Sequence, residues 1–170
     1  DYDFVIGSLH GLGGAKKEDF VYWDAMNPIT DLDQKMTDYY DQLIDLAHWG
    51  HFDVMGHITY PIRYIWGRSR IPVDLNLYMD LIDQLLRTLI ENGRGIEVNT
   101  SGLRQELGTT LPDLPLLKRY RQLGGELITI GSDAHYSEHV GAGVEYAMDL
   151  LRQAGFEYFT FYKERQPRML

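Results

Sequence analysis

An aspartate and a histidine stand one residue apart directly after an apolar segment near residue 130. The segment runs through Leu127, Ile128 and Ile130 to a glycine, and Asp133 and His135 follow it. In extended backbone, side chains two positions apart point to the same side, so this carboxylate and imidazole can share a metal ion. The other interpretation is that Asp133 caps the next helix and His135 is an ordinary loop histidine.

Two further histidines occupy the same kind of position in the sequence. His10 and His57 each come directly after a short apolar run. Nitrogen and oxygen donors of this type suit a divalent metal such as zinc, manganese or iron. Unrelated loop histidines are the alternative, but the apolar run before each of them favours a metal site formed by His10, His57, Asp133 and His135.

Arginine, asparagine and serine follow two of the same segments. Arg63 comes six residues after His57, and Arg104 comes five residues after Asn99. A guanidinium group can bind a phosphate through two hydrogen bonds, and Asn99 and Ser101 can add neutral donors to the same anion. Surface arginines and a capped turn are the plainer interpretation of these residues.

The composition excludes several classes of protein. The chain has 170 residues, 44% of them hydrophobic, which is enough for one domain with a core. It contains no cysteine, so any metal must bind imidazole and carboxylate, and the composition fits a reducing cytoplasm. A net charge of −9 disfavours nucleic acid as a partner, and no apolar run approaches the length of a membrane span.

Apolar spacing predicts strands and helices in strict alternation. The predicted strands are residues 3–10, 52–58, 95–99, 126–130 and 156–162, and the predicted helices are residues 33–49, 74–91, 113–123 and 140–154. Glycines at 11, 13 and 14 form a loop after the first strand, and residues 163–170 are predicted to be a solvated tail.

Strict alternation indicates parallel strands joined by helical crossovers, with the chemistry beyond the carboxyl ends of the strands. Five strands and four helices fall short of a closed barrel, which needs about eight strands and about 250 residues. The predicted sheet is therefore either open or part of a larger barrel. Glu97 lies inside the third strand, and the sequence leaves open whether it faces the interior or pairs structurally.

Taken together, these motifs resemble the histidinol-phosphate phosphatases of the polymerase-and-histidinol-phosphatase (PHP) superfamily. The matching segments are residues 3–10, 52–57, 95–104 and 130–135, followed by Val140 and Gly141. The resemblance implies an α/β fold, a distorted (β/α)7 TIM-like barrel built around a trinuclear centre of zinc, manganese or iron. It also implies cytoplasmic hydrolysis of L-histidinol phosphate, a small phosphorylated substrate, in histidine biosynthesis.

The same resemblance assigns roles to individual residues. His10 and His57 would bind one metal ion, Asp133 a second and His135 a third. Arg63 and Arg104, with Asn99 and Ser101, would hold the substrate phosphate, and Asp133 or His135 would assist proton transfer to the leaving alkoxide.

One family feature has no counterpart here. Family members begin with an H-x-H motif followed by another histidine and a bridging glutamate, and this sequence has no H-x-H. We therefore expect residues 1–170 to be a single partial PHP domain, its carboxy-terminal portion, with at most a two-histidine metal site at His10 and His57 and impaired activity. An open strand edge would invite a homodimer or a complementing segment.

The alternative function is a non-catalytic PHP remnant that acts as a scaffold or a phosphate-binding module. A nuclease-associated or polymerase-associated PHP domain is a third possibility, which the acidic charge balance disfavours.

Overall fold

The computed structural model describes residues 2–13 and 19–170, so Gly14 of the predicted loop lies outside the described residues. The strands in chain order are β1 (Ile6–Gly7), β2 (Gly11–Leu12), β3 (Val21–Tyr22), β4 (Val54–Met55), β5 (Gly95–Asn99), β6 (Ile128–Gly131), β7 (Thr160–Lys163) and β8 (Gln166–Met169). The α-helices are α1 (Leu32–Trp49), α2 (Ile62–Ile65), α3 (Met79–Glu91), α4 (Leu114–Gln122) and α5 (Val144–Ala154).

Four strands form a parallel sheet in the order β1-β4-β5-β6. The alternation of strands and helices predicted this arrangement, and the structure confirms an α/β fold with a parallel sheet. All five residues of β5 are buried, because β5 lies between β4 and β6 and helices pack over the sheet. β2 and β3 form a separate antiparallel pair that the sequence did not predict.

The helices form where the apolar spacing predicted them. α1 buries Met36, Tyr39 and Leu43 on one face and packs against α3, which buries Ile82 and Leu85. α3 begins five residues later than the predicted start at residue 74, since a short 3₁₀ turn over Leu75–Tyr78 precedes it. The short helix α2 was not predicted. None of the helices in the described part of the chain combines the length and apolar character needed to cross a bilayer.

The last helix starts later than predicted. α5 begins at Val144 and not at Val140, because Gly141 and Gly143 adopt φ values of 73° and 79° and form a turn before the helix. A left-handed backbone of this kind interrupts a helix and is readily adopted by glycine.

The predictions for the end of the chain were partly wrong. Residues 156–162 do not contribute a fifth parallel strand. Residues 163–170 are exposed, as expected for a solvated tail, but most of them lie in strands. β7 and β8 pair as an antiparallel hairpin, with Thr160 opposite Met169 and Lys163 opposite Gln166. Glu164 and Arg165 form its turn with φ values of 53° and 60°. Such turns usually contain glycine or asparagine, so the sequence carried no turn signal.

This C-terminal hairpin, residues 160–169, lies at the end of the parallel sheet where the strands begin. Thr160 Oγ1 accepts a hydrogen bond of 3.2 Å from the Ile128 amide, at the start of β6. The Glu164 amide donates to Asp3 Oδ1 over 2.7 Å, just before β1. The hairpin therefore connects the two edges of the sheet at the end opposite to the predicted site.

An ion pair with a buried carboxylate holds the turn of the hairpin. Asp53, which precedes β4, has a side chain only 3% exposed and accepts a 2.7 Å hydrogen bond from the Val5 amide. Arg165 Nε lies 2.6 Å from Asp53 Oδ2. The Asp53 carboxylate thus joins the start of β1 to the hairpin turn.

Candidate metal and phosphate site

The predicted site residues lie beyond the carboxyl ends of the parallel strands. His57 comes two residues after β4, Asn99 is the last residue of β5, and Asp133 comes two residues after β6. His10 follows β1 at the same end of the sheet. Parallel strands bring their carboxyl ends together, which is why segments far apart in the sequence meet here.

The structure brings two of the predicted metal-binding side chains together. The imidazole rings of His10 and His57 have centroids 4.9 Å apart, at an angle of 67°. The Tyr60 ring packs against both of them, with centroid distances of 5.0 Å to His10 and 4.7 Å to His57. His57 Nδ1 is buried and has no hydrogen-bond partner in the described part of the chain.

Both imidazoles are held in their neutral form. Burial, followed by the charges of His10 and Arg63, lowers the pKa of His57 to about 4. Burial is also the largest cause that lowers the pKa of His10. A neutral imidazole with a free ring nitrogen is the species that coordinates a metal ion, so this pair suits zinc, manganese or iron as a partial set of ligands.

The predicted phosphate-binding arginine lies beside this pair. Arg63 donates a hydrogen bond to Ser101 Oγ, and its Nη2 is 3.4 Å from Asp133 Oδ2. The guanidinium group also stacks over the Tyr60 ring at 4.9 Å. Only 12% of the Arg63 side chain is exposed, so its charge is held in a fixed place at the edge of the site.

Asp133 is ionised at neutral pH. Partial burial alone would raise its pKa, but the charge of Arg63 is the largest of the contributions that outweigh burial and hold the pKa below its ordinary value. Its backbone adopts a left-handed conformation with φ 49°, and His57 does the same with φ 28°. Such conformations cost about 1–3 kcal/mol in residues other than glycine and often occur at functional sites.

The other predicted phosphate ligands are occupied by contacts within the protein. Asn99 Oδ1 accepts hydrogen bonds from the Ser101 amide at 3.0 Å and from Ser101 Oγ at 2.6 Å. Arg104 donates to the Ser132 carbonyl at 2.7 Å. Its Nη1 is buried without a partner in the described residues, which leaves one donor for a ligand.

His135 does not join the histidine pair. Its side chain is 76% exposed, and Nδ1 lies 3.0 Å from the carbonyl oxygen of Asp133. Within residues 2–13 and 19–170, no three side chains of histidine, aspartate or glutamate lie close enough to share one metal ion. The four predicted metal ligands are therefore brought to one end of the sheet without forming one complete coordination shell.

Sequence reasoning left one site residue undecided. Glu97, in β5, is 5% exposed and accepts hydrogen bonds from the His57 amide and from Asn99. Burial raises the pKa of Glu97, although these two hydrogen bonds oppose the increase. The available signal was a charged residue between Ile96 and Val98 in a strand predicted to be buried, since buried strands rarely contain an unpaired carboxylate.

A cavity of about 390 Å³ adjoins the site on the side of α2. Its lining combines cationic, anionic and aromatic side chains, namely Arg63, Tyr64, Gly67, Arg68, Gln105 and Glu106.

A match to a known protein family identifies the family of this chain. The sequence model of the PHP domain matches residues 1–101. The chain belongs to the PHP family. Its PHP region includes His10, His57, Arg63 and Glu97, and residues 102–170 continue the same sheet through β6 and add the C-terminal hairpin.

Curated relatives of this PHP protein are named as histidinol phosphatases. A probable histidinol-phosphatase of Thermotoga maritima is 36% identical over 128 residues, which cover 75% of this chain and 52% of the relative. A probable histidinol-phosphatase of Clostridium acetobutylicum is 28% identical over 165 residues, covering 96% of this chain and 62% of the relative. The chain thus spans about half to three-fifths of the length of these relatives.

Solved structures show the same fold. The histidinol phosphate phosphatase of Lactococcus lactis, crystallised with zinc, L-histidinol and phosphate, matches 98% of this PHP chain and 62% of its own length, with a TM-score of 0.72 and 19% identity. A histidinol phosphatase homologue from Listeria monocytogenes matches 83% of this chain with a TM-score of 0.64 and 20% identity.

Proposed function

We propose that this PHP chain carries part of the site of a metal-dependent phosphomonoesterase that converts L-histidinol phosphate to L-histidinol and phosphate. The observation that carries the proposal is the pair of neutral imidazoles, His10 and His57, beside the fixed guanidinium of Arg63. This arrangement places metal ligands next to a group that binds phosphate. The substrate follows from the names of the relatives and from the ligands of the Lactococcus lactis enzyme.

Each residue has a defined task in this proposal. His10 and His57 hold a divalent metal ion, with zinc favoured by its presence in the Lactococcus lactis structure and manganese or iron as alternatives. Arg63 donates hydrogen bonds to the phosphate, which takes the place of the Asp133 carboxylate as its partner. Arg104 contributes its unpaired Nη1, while Asn99 and Ser101 act mainly by holding Arg63.

The metal, when bound, supplies Lewis-acid chemistry that polarises the phosphate and lowers the pKa of water. Asp133 is ionised, so it accepts a proton or coordinates a cation and does not serve as the acid. The exposed imidazole of His135, next to Asp133, is the better donor of a proton to the leaving alkoxide. Arg63 balances the negative charge that develops on phosphorus oxygens during the transfer.

We further propose that the four-stranded sheet is part of a distorted (β/α)7 barrel whose site draws additional ligands from outside the described residues, including those of a trinuclear centre. The support is that the described residues contain no group of three ligands. β1 lies at the end of the sheet and Ile6 is 44% exposed, so pairing of this edge with a second copy or a complementing segment stays a prediction.

Phosphate binding without turnover is a second candidate function. It is favoured by the incomplete ligand group and by the ion pair between Arg63 and Asp133, which positions an anion-binding group without a complete metal centre. In this case the chain would bind phosphate and phosphate esters but release no product.

The test combines metal binding, phosphate binding and hydrolysis on the purified chain. Zinc and inorganic phosphate affinities are measured by calorimetry, and phosphate release from L-histidinol phosphate is followed with zinc or manganese added. His10→Ala and His57→Ala are expected to abolish zinc binding, and Arg63→Ala to weaken phosphate binding by at least about tenfold. His51→Ala is the matched control, because His51 is exposed, packs against the Trp49 ring and precedes β4, at the end of the sheet opposite to the site.

Three outcomes separate the candidates. Zinc binding with phosphate release that depends on His10, His57 and Arg63 supports the phosphatase. Phosphate binding that depends on Arg63, without release under any metal, supports the binding module. A chain that binds neither zinc nor phosphate contradicts both.

A further inference from the structure

A buried carboxylate lies directly beneath the candidate site. Glu97 is in the middle of β5, is 5% exposed, and forms no ion pair with an arginine or lysine of the described residues. Burying a charged group costs free energy unless hydrogen bonds or a cation compensate for it. A glutamate in this fully buried strand therefore calls for a specific role.

Two donors from different strand ends converge on one oxygen of this carboxylate. Glu97 Oε2 accepts a hydrogen bond from the His57 amide at 3.3 Å and another from Asn99 Nδ2 at 3.2 Å. The His57 amide belongs to a residue with φ 28°, a conformation that a histidine adopts only when its surroundings hold it there. The carboxylate thus stabilises the backbone that aims the His57 ring at His10.

The second donor begins a chain of hydrogen bonds that ends at the arginine. Asn99 uses its amide nitrogen for Glu97 and its oxygen for Ser101 Oγ, which is 2.6 Å away. Ser101 Oγ in turn accepts a hydrogen bond from Arg63. Asn99 and Ser101 are only 1% and 2% exposed, so water does not readily replace these contacts.

Neighbouring strands leave room for the Glu97 side chain and for little else. A Cβ atom on Gly131 would overlap Glu97 Oε1, and a Cβ atom on Gly56 would lie 3.3 Å from Glu97 Oε2. The absence of side chains at these two positions leaves space for the carboxylate beside Gly56, which follows β4, and Gly131, which ends β6. Its orientation is therefore set by packing as well as by hydrogen bonds.

We propose that Glu97 is a positioning residue that aligns the metal-binding and phosphate-binding halves of the site at once, holding His57 directly and Arg63 through Asn99 and Ser101. The proposal rests on the proposed function, since it assumes that His57 binds metal and Arg63 binds phosphate. A purely structural role for Glu97 would affect stability without linking the two ligand affinities.

Glutamine at position 97 is the informative conservative change. Both donors approach the same oxygen, so the amide oxygen of Glu97→Gln can accept both hydrogen bonds, and we expect zinc and phosphate affinities within about twofold of wild type. Glu97→Asp withdraws the oxygen by one methylene, and we expect both affinities to fall by about tenfold. Glu97→Asp is used in place of Glu97→Ala because the shorter carboxylate perturbs the buried core less than an alanine would.

Ser101→Ala separates the two branches of the network. It should weaken phosphate binding by about tenfold and leave zinc affinity within about twofold, because Ser101 contacts Arg63 and not His57. In the Ser101→Ala background, adding Glu97→Asp should lower zinc affinity as before but cost no further phosphate affinity. Thr160→Val, which removes the buried hydrogen bond from the Ile128 amide at the opposite end of the sheet, is the matched control for loss of stability alone.

The experiment measures both affinities by calorimetry on the full chain and its variants, with stability followed by urea unfolding. Wild-type affinities in Glu97→Asp would overturn the proposal, as would an undiminished phosphate effect of Glu97→Asp in the Ser101→Ala background. Equal losses of zinc and phosphate affinity in Thr160→Val would reduce the role of Glu97 to stability. A wild-type chain without affinity for zinc or phosphate would overturn the proposed function itself, and with it this role, whereas the other outcomes leave the proposed function standing.

Discussion

Single residues at this site are held in conformations that the chain adopts at a cost. His57 and Asp133 both have left-handed backbones, and the Tyr60 ring packs against His57, His10 and the Arg63 guanidinium. The sequence predicted His57, His10 and Asp133 as metal ligands and Arg63 as a phosphate ligand. It could not show that Tyr60 lies between the two imidazoles and the arginine, because that contact depends on the path of the loop after β4.

Removing the Tyr60 ring should loosen the histidine pair. Tyr60→Ala is expected to lower the free energy of unfolding by about 3–5 kcal/mol and to weaken zinc binding by at least about tenfold. Tyr60→Phe keeps the ring and loses only the hydrogen bond between the Tyr60 and Tyr64 hydroxyls, 2.8 Å long. It should cost about 0.5–1.5 kcal/mol and leave zinc affinity within about twofold. Equal zinc affinities in the two variants would contradict the packing role.

Burial of His57 should make the metal-free chain sensitive to acid. The folded chain binds the His57 proton with a pKa of about 4, compared with 6.5 for the free side chain. Between these values the unfolded chain is protonated and the folded chain is not, so stability falls as the pH falls, by up to about 3 kcal/mol. The groups facing His57 are His10, Arg63, Asp133 and Glu97.

Urea unfolding with a chelator present, at pH 7 and at pH 4.5, measures this effect. His57→Asn should remove most of the difference between the two pH values, whereas His51→Ala should leave it unchanged. An identical pH dependence in wild type and His57→Asn would show that other groups cause the acid sensitivity.

At the scale of elements, the parallel sheet was predictable and the C-terminal hairpin was not. The prediction for β5 matches the structure residue for residue, because Gly95 and Asn99 mark the two ends of a short segment with the β-branched residues Ile96 and Val98. The hairpin was not predicted because its turn lacks the usual turn residues. Its turn places Glu164 and Arg165 at positive φ, and these residue types do not signal such a turn. The start of α5 was missed because two glycines interrupt an otherwise helical pattern.

The packing of Glu97, in β5, against β6 requires a glycine at position 131. Gly131→Ala should push the Glu97 carboxylate away, lowering the free energy of unfolding by about 1–3 kcal/mol and weakening zinc and phosphate binding together. Gly108→Ala is the control, because Gly108 has φ 70° and open space around the added methyl group. It should cost about 1 kcal/mol and leave both affinities unchanged. Calorimetry that finds intact affinities in Gly131→Ala would contradict the close packing of Glu97.

At the scale of the whole molecule, the ion pair between Asp53 and Arg165 is one of the contacts that hold the hairpin at the amino end of the sheet. Removing the charge with Arg165→Met leaves Asp53, 3% exposed, without its cation. We expect a loss of about 1–3 kcal/mol, below the usual range for a buried pair because the Arg165 side chain is 40% exposed. Arg152→Met, which breaks the exposed pair with Asp149, should change stability by less than about 0.5 kcal/mol. Similar losses in the two variants, by thermal or urea unfolding, would show that Asp53 is solvated.

The contacts between the hairpin turn and the segment before β1 are also expected to affect the rate of unfolding. The hydrogen bond from Glu164 to Asp3 joins residues 161 positions apart. Closing so long a loop is entropically costly, and contacts of this separation form after the local helices and neighbouring strands. Arg165→Met is therefore expected to accelerate unfolding while leaving the refolding rate nearly unchanged. We therefore expect the hairpin to set the lifetime of the native state and to have little influence on how quickly that state is reached.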